Sequence, residues 1–230
     1  MHYLMKTIHL LKKLERFPLF TQNDIAKIIN KDSEYVKTLL YRLNKEGFIK
    51  KIERGKYTIY DNILIFASYI TTPSYFSLWT ALRYYNLTQQ QPKKFFVACS
   101  TKRKNIKLKD SEIVFLFTKH MFGYKKDRYN DFDIFIADPE KIIIDSLLFK
   151  IPIEDISIAL DDNNLNFKKI SEYAMRTGNI SLIKRLGYLL DKKKGDSYEL
   201  KALDNNYIPL NYLGKKKGKK NTKWKVLVNI

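Results

Sequence analysis

The chain has 230 residues, 45% hydrophobic and 29% charged, enough to bury one large core or two modest ones and too apolar for a disordered polymer. Its 43 Lys and Arg against 24 Asp and Glu give a net charge of +19. That surplus favours a polyanionic partner, nucleic acid first and an anionic membrane surface second. Lys-rich surfaces also arise from compositional bias alone, but then usually with matching Glu, which is absent here. The single cysteine, Cys99, excludes an intrachain disulfide framework and fits a reducing compartment. The first residues alternate charged and apolar side chains instead of forming a signal peptide, and the apolar runs are shorter than a membrane span. A cytoplasmic protein with no membrane partner is expected.

Leu4, Ile8, Leu11 and Leu14, with Leu10, fall at helical spacing, and Phe17-Pro18 ends that first helix. In "TQNDIAKIIN", Thr21 and Asp24 form a capping-box pattern, and Ile25, Ile28 and Ile29 share one apolar face. Asn30-Lys31-Asp32 makes a tight turn. Asp32 or Ser33 caps a third helix with the stripe Val36, Leu39, Leu40 and Leu43, and Gly47 sits just past its end. The stretch "FIKKIERGKYTIYD" then reads as a hairpin turning at Arg54-Gly55, where glycine supplies a positive φ. Ile52, Tyr57 and Ile59 cover the helices, and Lys51, Arg54 and Lys56 face out.

Three helices, a short turn between the second and third, and a basic hairpin predict a winged helix-turn-helix over residues 1–61. In that arrangement the third helix enters the major groove of double-stranded DNA, an operator of inverted repeats. Its outward positions are Glu34, Lys37, Thr38, Tyr41, Arg42 and Lys45, with Lys31 and Ser33 at its start. Lys37 and Arg42 can reach guanine edges or phosphates, and Arg54 suits a phosphate or a narrow minor groove. Helix-turn-helix units also serve as protein-interaction modules. The 13 basic and 7 acidic residues of the segment favour DNA.

Residues 62–92 read as a connector and a helix that Ser74 caps, with Phe76, Leu78, Trp79, Leu82 and Tyr85 on its faces and Pro92 closing it. Residues 93–230 read as a mixed α+β domain. Strand-like runs "KFFVACS", "IVFLFTKH" and "FDIFIA" precede a helix at "DPEKIIIDSLLFK", with Asp138 as cap and Pro139 as first helical residue. Two further helices divide near Thr177-Gly178-Asn179, and a basic loop feeds a terminal strand. A second basic surface is expected from Lys102, Arg103, Lys104, Lys107 and Lys109 with Lys215, Lys216, Lys217, Lys219 and Lys220, facing phosphates or an acidic protein.

Three stretches carry a more specific signal. "PSYFSLWTALRYYNL" holds Ser77, Ala81 and Leu82. "ADPEKIIIDSLL" holds Ala137, Pro139, Glu140, Lys141 and Asp145. "KWKVLVNI" holds Trp224 and Asn229. With the preceding winged helix, the chain resembles the AbiEi family of antitoxins, the antitoxin half of bicistronic type IV toxin–antitoxin and phage abortive-infection systems. Tyr85-Asn86 stand where relatives often carry His-Gly before the Leu, so the turn there lacks its glycine. The resemblance implies a C-terminal antitoxin domain, repression of the protein's own operon, neutralisation of a nucleotidyltransferase-type toxin with or without stable contact, and no enzymatic activity. Two alternatives stay open. One is a stand-alone winged-helix repressor whose second domain senses a ligand.

The other is a metal-dependent nuclease using Asp131, Asp133, Asp138, Glu140 and Asp145, which crowd one short segment. Against it, Asp138 is better placed as a helix cap and Glu140 in a first turn, where the helix dipole favours anions. His2, His9, His120 and Cys99 show no metal spacing, and no Walker loop or G-x-G-x-x-G is present, so no metal or cofactor is expected. Cys99 reads as a buried small hydrophobe. Most of the 16 Tyr and 14 Phe fall on apolar faces and read as core.

Overall fold

The first helix, α1 (His2–Leu14), buries Leu10 and Leu14 and ends before Phe17-Pro18. A short strand, β1 (Phe20–Thr21), leads into α2 (Gln22–Ile29) through a complete capping box. The Thr21 hydroxyl accepts from the Asp24 amide at 3.3 Å, and the Asp24 carboxylate accepts from the Thr21 amide at 2.7 Å. Asn30 stops α2 in the left-handed conformation, and Asp32 caps α3 (Ser33–Lys45). Strands β2 (Lys50–Glu53) and β3 (Lys56–Thr58) form a hairpin whose tip requires the positive φ of Gly55. Strand β1 pairs antiparallel with β3, giving the order β1-β3-β2. Leu10, Leu14, Phe20, Ile25, Val36, Leu40, Leu43 and Ile49 close one core between these elements. Each such side chain contributes about 1.5–3 kcal/mol through burial.

The computed structural model describes residues 2–88, 93–162, 164–194 and 199–230, with side chains from Thr7 onward in α1. The expectation for Pro92 lies outside these residues, as does that for the Leu4 side chain. The architecture is mixed α+β. Two compact units share the chain: Met1–Tyr75, Lys93–Lys119 and Lys126–Phe135 form the first, and Phe76–Pro92, His120–Lys125 and Ile136–Ile230 the second. The units interleave in sequence and are cut differently from the linear segments 1–61, 62–92 and 93–230. Within the first unit, Tyr60 packs edge-on against Phe132 with ring centres 5.0 Å apart, and the Asn62 amide donates to the Tyr129 hydroxyl at 2.8 Å.

After β3 come α4 (Ile63–Phe66), a 3-10 turn (Ala67–Tyr69) and β4 (Ser74–Phe76). Ser74 was expected to cap a helix and Phe76 to sit on it. Both instead lie in a fully buried strand, and the Ser74 hydroxyl donates to the Ser68 carbonyl at 2.7 Å. The strands β5 (Lys94–Cys99), β6 (Ile106–Lys107), β7 (Glu112–Phe117), β8 (Tyr124–Tyr129) and β9 (Phe132–Ala137) complete a sheet of order β6-β7-β5-β4-β9-β8. Strands β5 and β7 run parallel from Lys94↔Glu112 to Cys99↔Phe117, so the chain must cross over between them, and residues 100–111 do this with β6 at the sheet edge. Burial pushes the Cys99 thiol pKa up, as suits an unreactive core cysteine.

The second unit is mainly helical: α5 (Leu78–Tyr84), α6 (Pro139–Leu148), α7 (Ile153–Ala159), α8 (Phe167–Thr177) and α9 (Ile180–Lys194). A small sheet of β10 (Ile208–Pro209), β11 (Lys219–Asn221) and β12 (Val226–Val228), in order β10-β12-β11, ends it. Asn86 takes φ +58° after α5. Its amide donates to the Arg83 carbonyl and the Leu87 amide to that of Leu82, so asparagine closes the turn without glycine. Helix α6 packs against α5, α7, α8 and α9 and is buried at every position from Glu140 to Leu147. Gly187 in α9 lies under Trp224; a Cβ there would meet the indole ring at 2.2 Å. Among the described residues no helix is long and apolar enough to cross a membrane.

Asp145 of α6 accepts a hydrogen bond from the Ser77 hydroxyl at 2.7 Å and pairs with the Lys141 ammonium; all three residues are fully buried. Replacing Asp145 by Ala leaves the lysine charge uncompensated, with an expected cost of about 3–5 kcal/mol. Ser77→Ala removes one neutral-donor bond and costs about 1–3 kcal/mol. Equilibrium urea unfolding of the two variants checks this order; equal midpoints for Asp145→Ala and the wild type would contradict it.

Candidate nucleic-acid interface

The geometry of α3 is set by two tethers at its start. The Asp32 carboxylate accepts from the Tyr35 amide at 2.9 Å, and that hydrogen bond holds its pKa below the ordinary carboxylate value. The Gln22 side-chain amide donates to both the carbonyl and the hydroxyl of Ser33, each at 2.8 Å, tying α2 to α3. The Ser33 hydroxyl keeps its own proton free to donate. With Val36, Leu40 and Leu43 turned into the core, the opposite side of α3 is exposed at Glu34, Lys37, Thr38, Tyr41, Arg42 and Lys45, and Lys31 is exposed just before the cap.

Tyr41 is 69% exposed and Tyr35 is 52% exposed on that same helix. Tyr35 escaped the sequence reading because its position just after the cap matched no stripe. Large aromatics left in water on a basic helix can pack on a thymine methyl or a sugar, while Lys37 and Arg42 present donors to guanine O6 and N7 or to phosphate.

In the hairpin, Lys51 and Arg54 are exposed. Lys56 is not outward as expected. It pairs with Glu53 at 2.9 Å and donates to the Ile70 carbonyl. Arg103, expected on the second basic surface, is also drawn inward, pairing with the same Glu53 and donating to the Ile70 carbonyl at 3.2 Å. A half-buried carboxylate needs cationic partners, and these two supply them. Lys102, Lys104, Lys107 and Lys109 stay exposed in the first unit. Lys215, Lys216, Lys217, Lys219 and Lys220 are exposed in the second unit, so the two halves of that expected surface belong to different units.

Sequence reasoning passed over one cationic feature of the first unit. His9, Lys12, Lys13 and Arg16 line an open groove of about 480 Å³ floored by Phe17 and Ile28. Only the alternation of cations along α1 signalled it.

The residues behind the family resemblance do not form an exposed site. Besides the Ser77–Asp145–Lys141 cluster, Glu140 accepts from Lys169 at 2.9 Å and from the Asn166 amide at 3.1 Å. The Trp224 indole donates to Asp191 at 2.6 Å, and the Asn229 side chain bridges the Asn211 backbone amide and carbonyl at 2.8 Å each. Among the described residues no three His, Cys, Asp or Glu side chains gather as metal ligands. No family model matches the chain, and no curated protein matches it in sequence.

The tip cation and the helix cations differ in what they can report. Phosphate contacts position a protein and base-edge contacts specify sequence. Arg54→Ala is therefore expected to weaken duplex binding evenly across sequences and to lower the slope of log K against log salt by about 0.9. Lys37→Ala and Arg42→Ala are expected to change sequence preference, each by about 1–3 kcal/mol at the affected base. Selection from a randomised duplex library checks the division; altered preference in the Arg54 variant alone would contradict it.

Proposed function

We propose that the protein is a DNA-binding transcriptional regulator whose first sixty residues act as a winged helix-turn-helix, and that it is the antitoxin and autorepressor of a toxin–antitoxin operon. The observation that carries the DNA-binding half is the exposed face of α3. Lys37, Arg42 and Lys45 stand there with Tyr41, next in sequence to a hairpin with Arg54 at its tip. The net charge of +19 supports a polyanionic partner independently of that geometry. The α3 side chains would read base edges in the major groove and the hairpin would hold the flanking backbone.

The antitoxin half is supported by the resemblance of three stretches of the chain to the AbiEi family. Their residues Ser77, Lys141, Asp145 and Trp224 serve the interior of the second unit, so the pattern there reads as the signature of a scaffold. The toxin would be a nucleotidyltransferase-type enzyme, opposed functionally with or without stable contact. The protein itself would carry no catalytic activity and would work in the cytoplasm.

Full-length protein with Lys37→Ala, Arg42→Ala and Arg54→Ala combined is expected to lose repression of a reporter driven by its own upstream region. It should still restore growth to cells expressing the neighbouring toxin gene from a separate promoter. The three positions are exposed, so the variant should fold, which thermal unfolding verifies. Retained repression would overturn the DNA-binding surface; failed rescue by both this variant and the wild type would overturn the antitoxin role.

A further inference from the structure

We infer that the crossover loop, residues 100–111, belongs to the same DNA-contacting surface as the β2–β3 hairpin, with Arg103 as the positioning residue that joins them. This rests on the DNA-binding function proposed above and extends its footprint to residues outside the first sixty.

Arg103 is only 18% exposed at its side chain. Its guanidinium pairs with Glu53, donates to the Ile70 carbonyl at 3.2 Å, and lies 4.3 Å over the Phe115 ring. Glu53 is the residue immediately before the hairpin tip, and Lys56 immediately after the tip binds the same carboxylate and the same carbonyl. The Thr71 and Thr101 hydroxyls meet at 3.3 Å. The base of the hairpin tip and the start of the crossover loop are thus tied through one carboxylate and one carbonyl.

The flanking side chains behave differently from these anchors. Arg54, Lys102 and Lys104 are exposed, and none of them pairs with an acidic side chain among the described residues. The Lys102 ammonium rests 5.5 Å over the ring of Phe117, itself 48% exposed, which presents the charge on a fixed support. Glu53, the nearest carboxylate in sequence to Arg54, is turned inward and neutralised, so the outward cations remain uncompensated. Arg54 follows Glu53 in sequence and Lys102 and Lys104 flank Arg103, so the three exposed cations border the two ends of one ion pair.

The test uses full-length protein and a short fluorescein-labelled B-form duplex of mixed sequence, titrated by anisotropy across a salt series. Lys102→Ala with Lys104→Ala is expected to lower the slope of log K against log salt by about 1.8, two contacts at about 0.9 each. Arg103→Ala is expected to lower it by a similar amount although its own charge is covered, and adding the two lysine substitutions to it should remove little more. A merely structural role for Arg103 would not produce that non-additivity. Should Arg103→Ala lose its folded circular-dichroism spectrum, Glu53→Gln replaces it and breaks the same clasp from the other side. An unchanged slope in the double-lysine variant, with Arg54→Ala lowering it, overturns the extended footprint alone. A full lysine effect persisting in the Arg103→Ala background overturns the positioning role. Absence of salt-dependent binding by the wild type overturns the footprint together with the DNA-binding function.

Discussion

Helix α6 has no solvent-facing side, and the second unit is organised by that fact. A helix wrapped by α5, α7, α8 and α9 must pair every polar group it carries, because an uncompensated charge in such a place costs several kcal/mol. Its cap, Asp138, takes the Lys141 amide at 2.8 Å and the Tyr173 hydroxyl at 2.9 Å. Desolvation works against the Lys169 ammonium, but its hydrogen bonds to Asp138 and Glu140 outweigh that and raise its pKa above the ordinary lysine value. Lys141 and Asp145, one turn apart, pair with each other, and the Ser77 hydroxyl donates to the same carboxylate. The helix can be surrounded because its charged groups are paired within α6 itself, by Lys169 and Tyr173 of α8, and by Ser77 ahead of α5.

One carboxylate of the first unit is neutralised in the same way. Glu53 draws in Lys56 and Arg103, while Lys51, Arg54, Lys102 and Lys104 remain in water. Surface cations without partners repel one another, and this lowers the stability of the compact state by a modest amount. A nearby polyanion removes that repulsion on binding, which favours association and makes it strongly salt-dependent. Exposed cations of this kind stand on α3, on the hairpin and in the crossover loop.

Local signals were legible in the sequence wherever a few neighbouring residues decide the outcome. The capping box at Thr21 and Asp24, the cap at Asp138 with Pro139 behind it, and the break at Gly178 all involve contacts within four residues. Ser74 misled because a serine before an apolar run is a good cap in isolation; here the buried environment recruits its hydroxyl to Ser68 and its segment to the sheet. Strand β8, Tyr124–Tyr129, was missed because its alternation is largely polar and its pairing comes from β9 across a turn at Asn130. The inward turn of Lys56 and Arg103 depends on Glu53 and Ile70, the latter 33 residues from Arg103. No spacing rule reaches that far. The interleaving of the two units has the same origin, since it depends on which strands pair and not on composition along the chain.

The acidic run from Asp131 to Asp145 illustrates how such distant contacts separate a scaffold from a reactive site. Metal-dependent hydrolysis needs carboxylates that converge with free oxygens on one point. Here four of the five carboxylates, Asp133, Asp138, Glu140 and Asp145, are paired with cations. Asp133 meets Lys126 at 3.0 Å and Arg128 at 3.5 Å in the first unit, and its pKa is lowered chiefly by the Lys126 hydrogen bond. Asp138, Glu140 and Asp145 belong to the second unit and are bound to α6 and its neighbours as described. A cation drawn to any of these four would first have to displace a lysine or arginine already held there, at the cost of leaving that charge unpaired. Asp133, Asp138, Glu140 and Asp145 are therefore engaged by neighbouring cations, whereas Arg54, Lys102 and Lys104 pair with no acidic side chain among the described residues.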